Sequence, residues 1–467
     1  MRLETVDMPD KKTVLLLNPP GDKLYARDKY CTSVSKSSYY WPQVDLLMLS
    51  GFLHRDYRVH VIDAIAQSMS PERCFSSIAR LRPDAIVFLT CLATWKADFE
   101  FVASVKRQTG AECIANGGFL LARGKEAMES HDFLDAVLLK FTTPDILRYL
   151  DGQRDGLRNI IFRCGAEIVN TGRSKEKPFT VPVPRHELFP LETYSFPLGR
   201  RPKYTCVMAS AGCPFHCSFC IPATLDYELR DIDNLMEELR HIKSLGIREL
   251  LFQDPTFSAN RRHAAAVCER IISEDLRLDW ICQTRVDTVD AELLALMKHA
   301  GCHSIDFGIE SGNEMILQSM SKGITKDKAR TAFGLCRTAG IRASGFFIIG
   351  MPGETEETVL DTIRFAKELD CHVASFSIPI PYGETPLGKT LGAGPMPETM
   401  DDVTEPSFET DSLSKRRILE LRNRAYREFY LRPGYVIRRV LQISTWHEFK
   451  VNLRGFLAIL GHYNAEH

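Results

Sequence analysis

The chain has 467 residues, a formal net charge of -1, 44% hydrophobic and 25% charged residues. At roughly 100–200 residues per domain this length implies two to four domains, and the balanced charge gives no electrostatic ground for a nucleic-acid partner. No apolar run approaches the roughly 18 residues of a membrane span. The opening MRLETVDMPDKK lacks the apolar core of a signal peptide, so the expected location is cytoplasmic.

Residues 13–18, TVLLLN, read as a buried strand closed by Pro19 and Pro20. Further strands are expected at 59–62, 85–89 and 113–115, the last running into Gly117-Gly118. Helical stretches lie between them, around 43–54, 71–82 and 97–109. This alternation predicts an α/β fold, with a doubly wound parallel sheet over residues 1–150. Ligands of such sheets sit beyond the carboxyl ends of the strands, here NPPG, IDA, TCLAT and NGG. Residues 151–200 read as a linker with Pro178, Pro182, Pro184, Pro190 and Pro197, and a small hairpin in IIFRCGAEIVNTG. From 201 to 390 the alternation resumes, with strands expected at 205–210, 249–253, 278–284, 303–309, 343–349 and 374–378. Six strand–helix units predict a partial (β/α) barrel with its chemistry on the loops after the strands. The segment 391–467 reads as helical; from 412 it is also basic, and a solvated helix packed on the barrel is preferred there over a membrane or nucleic-acid surface.

There are 14 cysteines. Most, such as Cys91 and Cys336, stand alone in apolar surroundings and read as small buried hydrophobes. Cys213, Cys217 and Cys220 differ: they form C-x3-C-x2-C directly after the first barrel strand, in SAGCPFHCSFCIP. Structural zinc wants four protein ligands. The nearest further cysteine, Cys206, lies inside the predicted strand, about 20 Å of extended chain away. A [4Fe-4S] cluster held by three thiolates instead leaves one iron open to bind a substrate.

This loop resembles that of the radical S-adenosylmethionine (SAM) superfamily. In that family the open iron chelates SAM, which is cleaved to methionine and a 5′-deoxyadenosyl radical. The resemblance assigns Cys213, Cys217 and Cys220 as cluster ligands, with Phe215 and Phe219 as an apolar shell. FQDPTF (252–257), QTRVD (283–287), GIESG (308–312) and FIIGMPGET (347–355) resemble further family segments in order. Glu310 ranks first as a SAM contact, ahead of Asp254, Arg285 and Ser311. His216, Asp254 and Glu310 are the acid–base types on the active face. Glu354 or Thr355 is expected to cap the following helix. A flavodoxin or ferredoxin is the electron donor that the family implies.

The doubly wound domain ahead of such a barrel resembles the cobalamin-binding subfamily, over nearly the whole chain. The sequence departs from that pattern in two places. Gly117-Gly118-Phe119-Leu120 stands where "GGPH" is usual, and Lys140-Phe141-Thr142-Thr143 stands where "GEGE" is usual. These departures point to a narrowed or filled cofactor cleft. The leading expectation is therefore a cobalamin-free lyase of antibiotic biosynthesis, a radical dehydratase that deoxygenates an aminoglycoside-type sugar. The alternative is a cobalamin-dependent C-methyltransferase, with the Thr90–Thr94 loop along the cofactor tail. A third reading, an iron–sulfur electron carrier, would need neither an open iron nor a substrate cavity.

Overall fold

The computed structural model describes residues 11–28, 31–35, 40–175, 178–196, 198–392, 405–443 and 445–464. Pro197 of the expected linker and residues 393–404 of the tail lie outside the described residues. Two compact units emerge. One takes in the described residues up to 28, residues 45–174 and 180–190; the other holds residues 191 onward with two short earlier segments.

The first unit is a seven-stranded sheet. Its strands are β1 (Thr13–Asn18), β2 (Arg58–Asp63), β3 (Ala85–Leu89), β4 (Glu112–Asn116), β5 (Ala136–Leu138), β6 (Ile160–Cys164) and β7 (Glu167–Asn170). The order is β2-β1-β3-β4-β5-β6-β7. The first five run parallel. Val14, Leu15, Leu16 and Leu17 of β1 are wholly buried, as a strand covered on both faces requires. Helices α1 (Val44–Leu53), α2 (Pro71–Leu81), α3 (Trp95–Thr109), α4 (Leu120–Ser130) and α5 (Asp145–Leu150) connect them. At α2 the start is written locally: the Ser70 hydroxyl accepts the Arg73 N–H and Pro71 opens the helix. The hairpin expected in the linker forms as β6–β7. It pairs antiparallel with β5 and so extends this sheet.

Arg27 braces one side of the sheet's carboxyl edge. It is completely buried and donates to Asn18 Oδ1 (3.0 Å), Pro19 O (2.8 Å), Thr94 Oγ1 (3.0 Å) and Asp98 Oδ1 (2.8 Å). Burial pushes the Asp98 carboxyl up and Arg27 opposes it. Arg27→Met is expected to cost about 3–5 kcal/mol in urea unfolding, because Asp98 is left buried and unpaired; adding Asp98→Leu should restore most of it.

The second unit carries β8 (Tyr204–Val207), β9 (Glu249–Phe252), β10 (Asp279–Thr284), β11 (Cys302–Glu310), β12 (Arg342–Ile348) and β13 (Ala374–Ser377), all parallel and paired in chain order. The helices α6 (Ile232–Ser244), α7 (Arg261–Ser273), α8 (Ala291–His299), α9 (Glu314–Ser319), α10 (Lys326–Ala339) and α11 (Glu356–Leu369) alternate with them. Alternate strand residues, among them Phe252, Trp280, Phe307, Phe347 and Phe376, pack under Leu239, Val267, Leu294, Phe333 and Ile363 of these helices. The intervening positions, such as Gln253, Gln283, Asp306 and Ser344, therefore belong to the opposite, concave face.

A short helix α12 (Pro386–Thr390) is followed by α13 (Lys415–Tyr430), α14 (Pro433–Gln442) and α15 (Trp446–Asn464). Helix α13 packs on the barrel as expected and finishes its last strand. The Tyr426 hydroxyl meets Phe376 N (3.0 Å) and O (3.2 Å), and the Tyr430 hydroxyl meets Ala374 N (3.1 Å) and O (2.8 Å). The free edge of β13 is thus satisfied by side chains.

Candidate active site

The cysteine loop leaves β8 under tight control. Gly212 has φ +66°, and a Cβ there would stand 2.2 Å from Asp226 O, so only glycine fits. Asp254, completely buried after β9, accepts from Ala209 N–H (3.0 Å) and Ser210 O–H (2.6 Å). Burial pushes its carboxyl up to about 6 against these hydrogen bonds. Asp254 is thereby a strap on the loop. Farther on, Ser218 N–H donates to Met320 O (2.9 Å), and Ser218 O accepts from Leu387 N–H (2.9 Å).

Cys217 is buried, while Cys213 and Cys220 are half-buried. Burial raises the Cys217 thiol, opposed by Lys322 and Arg285, and pushes Cys220 up to about 12. Cys213 Sγ lies 3.6 Å from Thr256 Oγ1. Among the described residues no three His, Cys, Asp or Glu side chains close on one metal-sized point. Phe219 joins an apolar group with Ile316, Met320, Ile348, Met351 and Leu387. Phe215 instead lies under the Arg285 guanidinium, 4.0 Å from its ring centre.

Two cations approach the buried thiol. Arg285 Nη1 lies 3.7 Å from Cys217 Sγ and is oriented by Asp287 (2.9 Å) and Lys322 O (2.7 Å). Lys322 Nζ pairs with Glu310 Oε1 at 2.8 Å, both side chains being buried. Burial draws the Lys322 ammonium down, but Glu310 and the Cys217 thiolate hold it above its ordinary value. Glu310 ends β11 at φ +67°, after a register shift. Gly308 makes room for the pair: a Cβ on it would stand 2.5 Å from Glu310 Oε1 and 2.8 Å from Lys322 Nζ.

The structure thus groups Arg285 and Glu310 with the cysteine loop at Cys217, while Asp254, Ser311 and His216 stand apart from that group. Ser311 turns to α11, its hydroxyl 3.1 Å from Thr362 Oγ1. Gly312 allows that helix to approach, since a Cβ there would lie 2.5 Å from Asp361 O. His216 is exposed in the cysteine loop. Three residues escaped the sequence reading. Lys322 sits in SKGIT, which looks like a solvated turn; Gly323 at φ +69° follows it, and Thr325 caps α10. Thr256 carried no signal. Asp306 lies on the concave face two residues before Gly308, 3% exposed, and its Oδ1 has no hydrogen-bond partner among the described residues. Burial pushes the Asp306 carboxyl up to about 7, with the Ser344 hydroxyl opposing.

After β12, Glu354 Oε2 accepts from Gly350 N–H (2.6 Å) and Met351 N–H (3.0 Å), while Thr355 takes the capping position of α11. Burial pushes Glu354 from 4.5 up to about 7. The folded state then keeps a proton that the unfolded chain has lost. Its contribution to stability is full below 4.5 and disappears as pH rises through about 7. Glu354→Gln keeps an acceptor and removes the titration. The stability difference between variant and wild type should therefore move in the variant's favour between about pH 5 and about pH 8 in urea unfolding.

At the carboxyl edge of the first sheet, Asn116 Oδ1 and Thr142 Oγ1 are buried without partners among the described residues. Gly117 packs on Thr90, where a Cβ would stand 2.2 Å from the carbonyl oxygen. Phe119 and Leu120 are buried, and Lys140 Nζ is occupied by Ser174 O at 3.1 Å. Thr94 of the TCLAT loop is engaged by Arg27 and Asp98. This edge therefore keeps unsatisfied acceptors, and a corrin, fringed with amide donors, would suit them.

Residues 207–366 match the sequence profile of the Radical SAM superfamily. The partial barrel is a radical SAM domain. An uncharacterized methyltransferase of Pyrococcus horikoshii is 29% identical over 96% of this chain and 98% of its own length. An anaerobic magnesium-protoporphyrin IX monomethyl ester cyclase of Cereibacter sphaeroides is 26% identical over 84% of this chain and 68% of its own. Among solved structures, the cobalamin-dependent S-adenosylmethionine radical enzyme OxsB superposes with a TM-score of 0.67 at 14% identity, covering 97% of this chain and 72% of that one. The radical SAM methyltransferase TsrM from Kitasatospora setae, with cobalamin and a [4Fe-4S] cluster bound, gives 0.63 at 20% identity, over 82% and 75%. These likenesses show a shared fold for the radical SAM domain and the cobalamin-binding-like unit ahead of it.

Proposed function

We propose that the protein is a cobalamin-dependent radical SAM enzyme that transfers a methyl group to a carbon of a small molecule. The observation behind this reading is that the likeness to a methyltransferase runs through both units, and the first unit keeps unsatisfied acceptors where a corrin would sit. The expectation of a cobalamin-free sugar dehydratase, a lyase of antibiotic biosynthesis, draws no support from these relatives.

Cys213, Cys217 and Cys220 would hold the [4Fe-4S] cluster, which supplies an electron and an open coordination position. Lys322 and Glu310 present opposite charges beside it, suited to the carboxylate and amino group of SAM. Arg285 keeps positive charge on Cys217 and fixes the Phe215 ring. Asn116 and Thr142 would accept from corrin amides, cobalamin supplying a methyl carrier. Asp306 holds a proton near neutrality on the concave face, in the general-acid role that His216 was expected to fill. That same acid is the one observation favouring dehydration as a second reading, since loss of a hydroxyl needs a proton donor.

The test is anaerobic purification from cells supplied with cobalamin, followed by corrin extraction and turnover with methyl-deuterated SAM. Stoichiometric corrin and label in a product are expected. 5′-Deoxyadenosine formed without any bound corrin would overturn methyl transfer in favour of dehydration.

A further inference from the structure

Eight of the nine large apolar side chains that stand exposed among the described residues fall between Leu431 and Leu457. On α15, Trp446, Phe449, Leu453 and Leu457 lie within roughly 80° of helix arc at 100° per residue. Val451 and Glu448 lie opposite and are buried, Glu448 against Arg342 at 3.0 Å. On α14, Ile437, Val440 and Leu441 share a face, while Tyr435 turns inward and donates to His372 O at 3.0 Å. Both helices are thus tethered by one side and leave the other apolar.

The charge beside this surface is of one sign. Lys450 and Arg454 are exposed on the flank of the α15 stripe, and the Lys450 ammonium lies 5.7 Å above the Trp446 ring. The Trp446 and Phe449 rings stack at 5.1 Å. Arg438 is exposed but paired with Asp370, and Glu448 is the sole acid between 431 and 457. A second copy docked face to face would set these cations against each other with no exposed acid from the segment to match them. An anionic surface matches them all. No helix among the described residues is long and apolar enough to cross a membrane.

We propose that α14 and α15 lie on an anionic lipid surface, with the apolar stripes at the headgroup boundary and Lys450 and Arg454 among the phosphates. The surface anchors the barrel through helices fixed near the amino ends of β12 and β13, away from the cysteine loop at the carboxyl ends.

Flotation of the full chain with vesicles of phosphatidylcholine containing a quarter phosphatidylglycerol tests this. Binding is expected, weakened by salt and absent with phosphatidylcholine alone. The variant Lys450→Gln/Arg454→Gln should lose about fivefold per charge. Trp446→Ser/Phe449→Ser should lose binding while iron content and 5′-deoxyadenosine formation stay at wild-type levels. Failure to float with anionic vesicles overturns the proposal. So does a wild-type dimer in sedimentation that Trp446→Ser/Phe449→Ser converts to monomer, since the stripe then serves self-association.

Discussion

Cys217→Ala is expected to reduce 5′-deoxyadenosine formation from SAM to the level without enzyme. Cys217 is the most buried of the three thiols and the one that Arg285 and Lys322 approach. Its loss leaves two protein ligands for a cluster that already lacks a fourth. Iron content and visible absorption should fall together. The first sheet has its own core, from Leu15 to Leu138, so its far-UV signature and urea midpoint should stay close to wild type. Retained iron and turnover in this variant would show that the three cysteines do not bind the cluster.

Lys322→Met is expected to weaken SAM binding by roughly ten- to a hundredfold, the size of a hydrogen bond to a charged group of about 1.5–3 kcal/mol. It should also destabilise the barrel by about 3–5 kcal/mol, because Glu310 is left buried without its cation. The two effects separate in the double variant Lys322→Met/Glu310→Gln. Removing the second charge should restore most of the stability and none of the SAM affinity. Equilibrium dialysis with SAM and urea unfolding read the two quantities independently. If affinity returns with stability, Lys322 acts only as a structural counter-ion.

The fold was largely legible because its strands are short apolar runs between clear helical periods. Five of the six barrel strands lie within one residue of their expected bounds, while β8 stops at Val207, three residues short of its expected end at 210. The cysteine trio was legible through spacing alone. What escaped depends on contacts far apart in sequence. Lys322 joins Glu310 across 12 residues and Cys217 across the barrel mouth, and no local period marks it. Asp254 reads from the sequence equally as a functional or a structural group, and its carboxylate ties down Ala209 and Ser210, 45 and 44 residues upstream, a contact no local pattern marks. Phe119, Leu120 and Lys140 were read as cleft-filling. The first two are buried, and Lys140 turns to Ser174; the polar atoms left unsatisfied include those of Asn116 and Thr142.

A glutamate held at φ +67° is a conformation that glycine would adopt without penalty, and strain of this kind amounts to about 1 kcal/mol or more. Glycine there would relieve that strain but strand the Lys322 ammonium without its buried partner, at about 3–5 kcal/mol, so the ion pair outweighs the backbone penalty. Laboratory evolution of the protein for heat tolerance, run without an activity screen, should therefore keep positions 310 and 322 or lose them together, and only the joint loss should yield sturdier but inert descendants.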